Sequence, residues 1–257
     1  MAVATDDRLR EVERTLLEIG ARLEQKRDSR CVFTHAYSLM TRRIAEELPR
    51  APDVDAIWIT ELAEAFAARY VAALNAPEEE LSPAWRHAFE VMRDKRTSVL
   101  EDLVFAMTVH IVHDLPLAVR DVSPGGVPLE NHVYDFHAVN DMMASSIGPI
   151  VDATAQRYAR YVKWLDRLGG RYDNILTNYG IRMSRGLAWY NALRLADERS
   201  GDAARAAIER SPVVLIDGLA HARFRSVRVM LRIGRWMVSF LRTWPKPEDE
   251  RGMAIAE

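Results

Sequence analysis

The chain contains a single cysteine, Cys31, so an intramolecular disulfide framework is excluded and a reducing compartment is expected. Glycine and proline are sparse, at 12 and 11 residues in 257. The prolines fall mostly at the seams between long apolar-periodic stretches, where they punctuate helices. No Asn-Gly or Asp-Gly turn interrupts an alternating pattern, which leaves β-structure without a hairpin signal. A large charge excess is also missing. A formal net charge of −2 is not that of a polycation seeking phosphate backbones, and no nucleic-acid partner is expected. The opening MAVATDDRLREVER brings acids early and has no apolar leader. No window of about eighteen residues is free of charge, so no membrane span is expected. On these absences a cytoplasmic protein is expected. No GxGxxG or P-loop argues for a nucleotide cofactor, and Ser145-Ser146 lacks the elbow of a serine hydrolase.

Nearly half of the residues, 49%, are hydrophobic, enough for a large core. They recur with helical spacing. Residues 6–28 read as a charged amphipathic helix with Leu9, Val12, Leu16, Ile19 and Leu23 on one stripe. Further helices are predicted over 31–48, 57–75, from the Ser82-Pro83 start to about Lys95, and over 98–120 behind Thr97 or Ser98. The one clear loop, DVSPGGVPLEN at 121–131, is followed by helices over 133–168, 171–199, 203–210 and 219–243. The expectation is an all-α, single-domain bundle of about eight helices spanning 1–257. The first and last helices pack on a central bundle, and a flexible tail covers 245–257.

Two His-x-x-x-Asp pairs concentrate the chemistry. His110 and Asp114 lie four apart on the apolar stripe of helix 98–120, so their side chains share a face. A histidine and an aspartate there cost several kcal/mol unless paired or ligated. His137 and Asp141 repeat the spacing on the next helix, with Asn140 beside them, Asp135 half a turn upstream, and Ala138, Ala144, Ser145 and Gly148 leaving room. Consecutive helices usually pack side by side, so both pairs are expected to face one crevice, with His35 a third contributor. Imidazole plus carboxylate at this spacing can present two ligands to one divalent ion. The mixed N/O set favours zinc, iron or manganese. The competing reading is a hydrogen-bonded network that ties two helices together. His113 lies about 60° around the helix from His110 on α-helical geometry. His132 reads as a cap or solvent residue.

Two further features carry charge. Arg182, Arg185 and Trp189 line one helix face. There an arginine can neutralise Asp135 or grip an anionic substrate, or it can form a structural pair beneath a packed tryptophan. The last helix places His221, Arg225, Arg228, Arg232, Arg235 and Arg242 on one stripe, suited to an anionic membrane, an acidic neighbour or a homodimer contact.

MTVHIVHDLPLAV, DFHAVND and SRGLAWYNAL together resemble a family of all-helical bacterial proteins, common in actinomycetes, whose function is unassigned. The resemblance covers about residues 30–220 and rests on His110, Asp114, Leu115, Pro116, Asp135, Phe136, Val139, Asn140, Arg185, Ala188 and Trp189. It does not fix His113 or His137 as histidine, and it implies an all-α fold without supplying a reaction. A second likeness is to the zinc-dependent phospholipase C and P1 nuclease group, which also carries His-x-x-x-Asp ligands on neighbouring helices. That group uses its mature N-terminal residue as a ligand and is exported, and this chain matches neither trait.

The resulting expectation is a metal-dependent enzyme, hydrolytic or oxidative, acting on a small organic molecule. The metal ligands are His110, Asp114, His137, Asp141 and His35, and the candidate catalytic residues are Asp135, His113 and Arg185. The alternatives are a metal-free cyclase or isomerase using His110 and Asp114 as an acid–base pair, and a non-catalytic helical binding protein. The pocket is expected beside residues 115–137, lined by His110, Asp114, His137 and Tyr134 under a lid formed by the 121–131 loop.

Overall fold

A computed structural model describes residues 2–93, 97–128, 130–158 and 180–220. Among them the chain forms nine helices and no strand: α1 (Ala2–Gln25), α2 (Cys31–Glu47), α3 (Ala56–Asn75), α4 (Pro83–Arg93), α5 (Val99–Asp121), α6 (His132–Ala144), α7 (Ile147–Tyr158), α8 (Gly180–Ala196) and α9 (Gly201–Ala220). The predicted helix 219–243 with its arginine stripe, and the tail after it, lie outside the described residues from 221 onward.

The starts of the helices follow local chemistry. Ser98 accepts from the Glu101 backbone N–H while the Glu101 carboxylate accepts from the Ser98 N–H, a reciprocal cap for α5. Ser82 Oγ accepts from Trp85 N–H at the start of α4. Asp55 caps α3 by accepting from Ile57 and Trp58, which satisfies donors that the first turn leaves unpaired. The stretch predicted as one helix over 133–168 breaks at Ser145-Ser146. Ser146 N–H bonds Met143 O in a tight turn, and α7 restarts with Gly148-Pro149 in its first turn, where a missing N–H is tolerated. The short helix predicted over 203–210 is instead a 20-residue helix, α9.

The stripe of α1 is buried as its spacing requires, with Leu9 and Leu16 fully covered. A turn through Asp28 and Arg30, which pair at 2.6 Å, leads into α2, which packs against α1. Arg42–Glu13 and Arg157–Glu24 bridges tie α2 and α7 to α1. The core has two main parts. One gathers Phe33, Tyr70, Trp85, Phe89 and Phe105; the other gathers Ile44, Trp58, Leu62, Phe136 and Trp189. Helix α5 contributes to both. By length and composition α5 is apolar enough to cross a bilayer, contrary to the sequence reading, yet most of its apolar stretch is buried among the other helices. A core helix passes the same test.

At its centre α5 changes pitch. Residues His110–Asp114 form a π turn, in which Leu115 N–H bonds the carbonyl of His110, five residues back. Such turns insert extra backbone into a helix and recur at functional sites.

Candidate functional site

All five side chains of the π turn are buried. His110 Nδ1 lies 2.8 Å from Asp114 Oδ2, and His113 Nδ1 lies 2.7 Å from Asp114 Oδ1. Trp85, arriving from α4, donates its indole N–H to both carboxylate oxygens at 3.0 and 3.2 Å. Asp114 therefore receives three N–H donors, which occupy the lone-pair directions of both oxygens. Burial alone would raise the Asp114 pKa, but the hydrogen bonds from the two histidines outweigh it and hold the carboxyl below its ordinary range.

The two histidines differ in charge. Both nitrogens of His113 meet carboxylates, since Nε2 lies 3.0 Å from Glu209 Oε1 on α9. Neither carboxylate can donate, so both nitrogens must carry protons. Burial opposes that charge, yet Asp114 and Glu209 together push the imidazole up to about 9. His110 follows the opposite course. Burial pushes its imidazole below the ordinary value and outweighs Asp114. The neutral ring then donates through Nδ1–H to Asp114 and leaves the Nε2 lone pair free. Nε2 is buried and has no hydrogen-bond partner among the described residues. The ring is caged by aromatics: Phe66 stacks on it at 3.6 Å and 4° between planes, with Tyr37 at 4.8 Å.

His110 forms part of the wall of a cavity of about 130 Å³ enclosed by α2, α3, α5, α6, α7 and α8. Its lining is mostly Ile, Leu, Met and Phe, including Met40, Leu62, Met107, Met143 and Ile150. Besides Thr41, whose hydroxyl donates to the Tyr37 carbonyl within α2, three polar groups interrupt these apolar walls. One is the His110 imidazole. The second is Tyr37, whose hydroxyl pKa is raised by burial and by the charge of Asp114. The third is Arg185, which is 5% exposed. Its Nη2 donates to Phe136 O at 3.0 Å, its guanidinium lies 4.5 Å from the Phe136 ring, and its Nε has no partner among the described residues. Burial pushes its pKa down to about 10, still a cation at neutral pH. A few convergent polar groups in an apolar, pre-formed hollow are the usual make-up of a small-molecule site.

Several sequence expectations are corrected. His137 and Asp141 do not share the crevice with His110 and Asp114. Both are exposed, while Val139, two residues from each and so about 160° around α6, lines the cavity together with Met143. Asp141 instead pairs with Arg182 at 2.6 Å, and Asn140 Nδ2 lies 3.3 Å from His137 Nδ1. His35 hydrogen-bonds Tyr158, and burial pushes its pKa down to about 4. Asp135 accepts from the Asp55 backbone N–H, which ties α6 to the start of α3. His132 is buried and stacks on Trp58 at 4.4 Å rather than facing solvent. Among the described residues no three His, Cys, Asp or Glu side chains come together as metal ligands. With Asp114 saturated by donors and the second pair facing away, the set proposed for zinc or iron does not fit a divalent ion. The likeness to the phospholipase C group loses its second ligand pair for the same reason. Of the residues expected to line the pocket only His110 does so; Tyr134 is 62% exposed, and the described residues of the 121–131 loop contribute nothing to the lining. Sequence reasoning missed Trp85 and Glu209 as partners of the cluster, and Tyr37 and Phe66 as neighbours of His110.

Residues 9–220 match the model of a family of unknown function, DUF5995, and the chain belongs to that family. The resemblance to a helical family without an assigned reaction stands at that level. No curated protein and no solved structure matches the chain.

Proposed function

We propose that the protein is a metal-free acid–base enzyme that takes a small, largely apolar molecule into the cavity and exchanges a proton with it through His110. One observation carries the reading: a neutral histidine is oriented by a buried carboxylate and keeps an unpartnered Nε2 where it walls an apolar hollow. In this arrangement Asp114 fixes the tautomer that leaves Nε2 basic and stabilises the imidazolium formed when that nitrogen takes a proton. His113, already cationic, serves to keep Asp114 ionised. Trp85 holds the Asp114 carboxylate and the Phe66 stack holds the His110 ring in place. The chemistry that fits is removal of a proton from one atom of the bound molecule and its return to another, an isomerisation or cyclisation without net oxidation.

The test is solvent exchange. Small apolar carbonyl compounds that bind the protein are incubated with it in D2O and examined by mass spectrometry for deuterium uptake. The expected result is uptake catalysed by the wild type and lost in His110→Gln with binding retained. The rate should hold through pH 6.5, the ordinary histidine value, and fall only below it, since burial lowers the His110 pKa and only the neutral ring is a base. Bound compounds that acquire no deuterium, or uptake that survives His110→Gln, would refute the assignment.

A further inference from the structure

The cavity holds a full positive charge and, among the described residues, no negative charge to match it. The arginines that bridge helices elsewhere have acids: Arg42 has Glu13, Arg157 has Glu24 and Arg8 has Glu64. Arg185 is more deeply buried than any of these, yet among the described residues it meets a backbone carbonyl and the face of Phe136 and no acid. The acids its neighbourhood offered are used elsewhere, Asp141 by Arg182 and Asp135 by the Asp55 backbone. Its buried Nε–H has no acceptor among the described residues. An isolated buried cation with an unused donor is costly unless something completes it.

We infer that the missing anion belongs to the ligand, which is a small carboxylic acid bound as its carboxylate at Arg185, with a compact apolar body in the cavity beside His110. This inference rests on reading the cavity as a small-molecule site. The void of about 130 Å³ is of the order of the roughly 150 Å³ apolar cavity known to accept benzene, so the body is one ring or a short branched chain. The charge is single. One guanidinium among apolar walls balances a carboxylate, whereas a phosphate dianion would remain half uncompensated. Tyr37 supplies a second donor, since its ring lies 4.8 Å from that of His110 and its hydroxyl feels the charge of Arg185.

The probes are benzoate, its neutral isostere benzamide, and inorganic phosphate, titrated calorimetrically into the full-length protein at pH 7. The expected result is saturable benzoate binding at least tenfold tighter than benzamide, with no competition from phosphate. The preference should vanish in Arg185→Met, which retains benzamide binding, and be largely kept in Arg185→Lys. Should Arg185→Met fail to fold, the benzoate-to-benzamide ratio in the wild type decides alone. Benzamide binding as tightly as benzoate overturns the carboxylate anchor while leaving the cavity a binding site. Displacement of benzoate by phosphate overturns it in favour of a dianion. Binding of neither aromatic probe overturns the anchor and the small-molecule site together.

Discussion

Replacing His113 by Gln tests the charge assignment at the centre of the cluster. The cation is stabilised by Asp114 at 2.7 Å and Glu209 at 3.0 Å, and its pKa stands at about 9 against an ordinary 6.5. At 1.36 kcal/mol per tenfold change, that difference is worth about 3 kcal/mol of folding free energy when the group is fully protonated. The sign follows from linkage. A folded pKa above the unfolded one contributes stability that is complete below about 6.5 and is lost as pH rises through about 9. Gln cannot titrate and has no such contribution. The stability gap between wild type and His113→Gln should therefore be about 3 kcal/mol larger at pH 6 than at pH 10, with most of the change between pH 7.5 and 9.5. Urea unfolding of both proteins at five pH values gives the gap directly. Parallel pH profiles would show that His113 is neutral in the folded protein, and with it would fall the claim that both its nitrogens carry protons.

Two other substitutions probe packing. Gly20 lies in α1, and a Cβ there would stand 3.0 Å from Cδ2 and Nε2 of the His35 ring, which Tyr158 holds in place. At Gly186 in α8 a Cβ meets nothing within 4 Å. Gly186→Ala should raise stability by about 0.5–1 kcal/mol through helix propensity, whereas Gly20→Ala should lower it by about 1 kcal/mol despite the same gain; equal effects in thermal melts would contradict the contact. Ala63 lines the cavity, and Ala63→Leu should add about 1–2 kcal/mol by filling it while abolishing benzoate binding. Unchanged benzoate affinity would show that the probe binds elsewhere.

The pairing of His110 with Asp114 was legible because spacing four apart on an apolar stripe leaves few other solutions. The identical spacing at His137 and Asp141 misled. The signal that separates them was present: Phe136, Val139, Asn140 and Met143 form the buried stripe of α6, and neither residue of the second pair falls on it. The π turn was not legible, since no residue type specifies it, and on α-helical spacing His113 stood about 60° from His110, so its direct pairing with Asp114 was not foreseen even though it was named as a candidate catalytic residue. Its partner Glu209 is 96 positions away, and Trp85 is 29 positions from Asp114. Side-chain meetings across such separations depend on how helices cross, which a one-dimensional pattern does not contain. The break at Ser145-Ser146 did have a sign, the Gly148-Pro149 pair.

The π turn in α5 also acts as a phase shift. Before it, Leu103, Phe105, Ala106 and Val109 serve one part of the core; from Ile111 within it onward, Leu115, Ala118 and Val119 serve the other. One extra residue rotates everything downstream by about 100° relative to an unbroken α-helix, so a single rod is keyed to two different surroundings. The position is consequently far more sensitive to length than to identity. Removing one residue, such as Val112, would leave the composition of α5 almost unchanged and let the helix wind regularly. It would also swing the whole C-terminal half of the rod out of register with α3 and α8, a change no single side-chain replacement could produce.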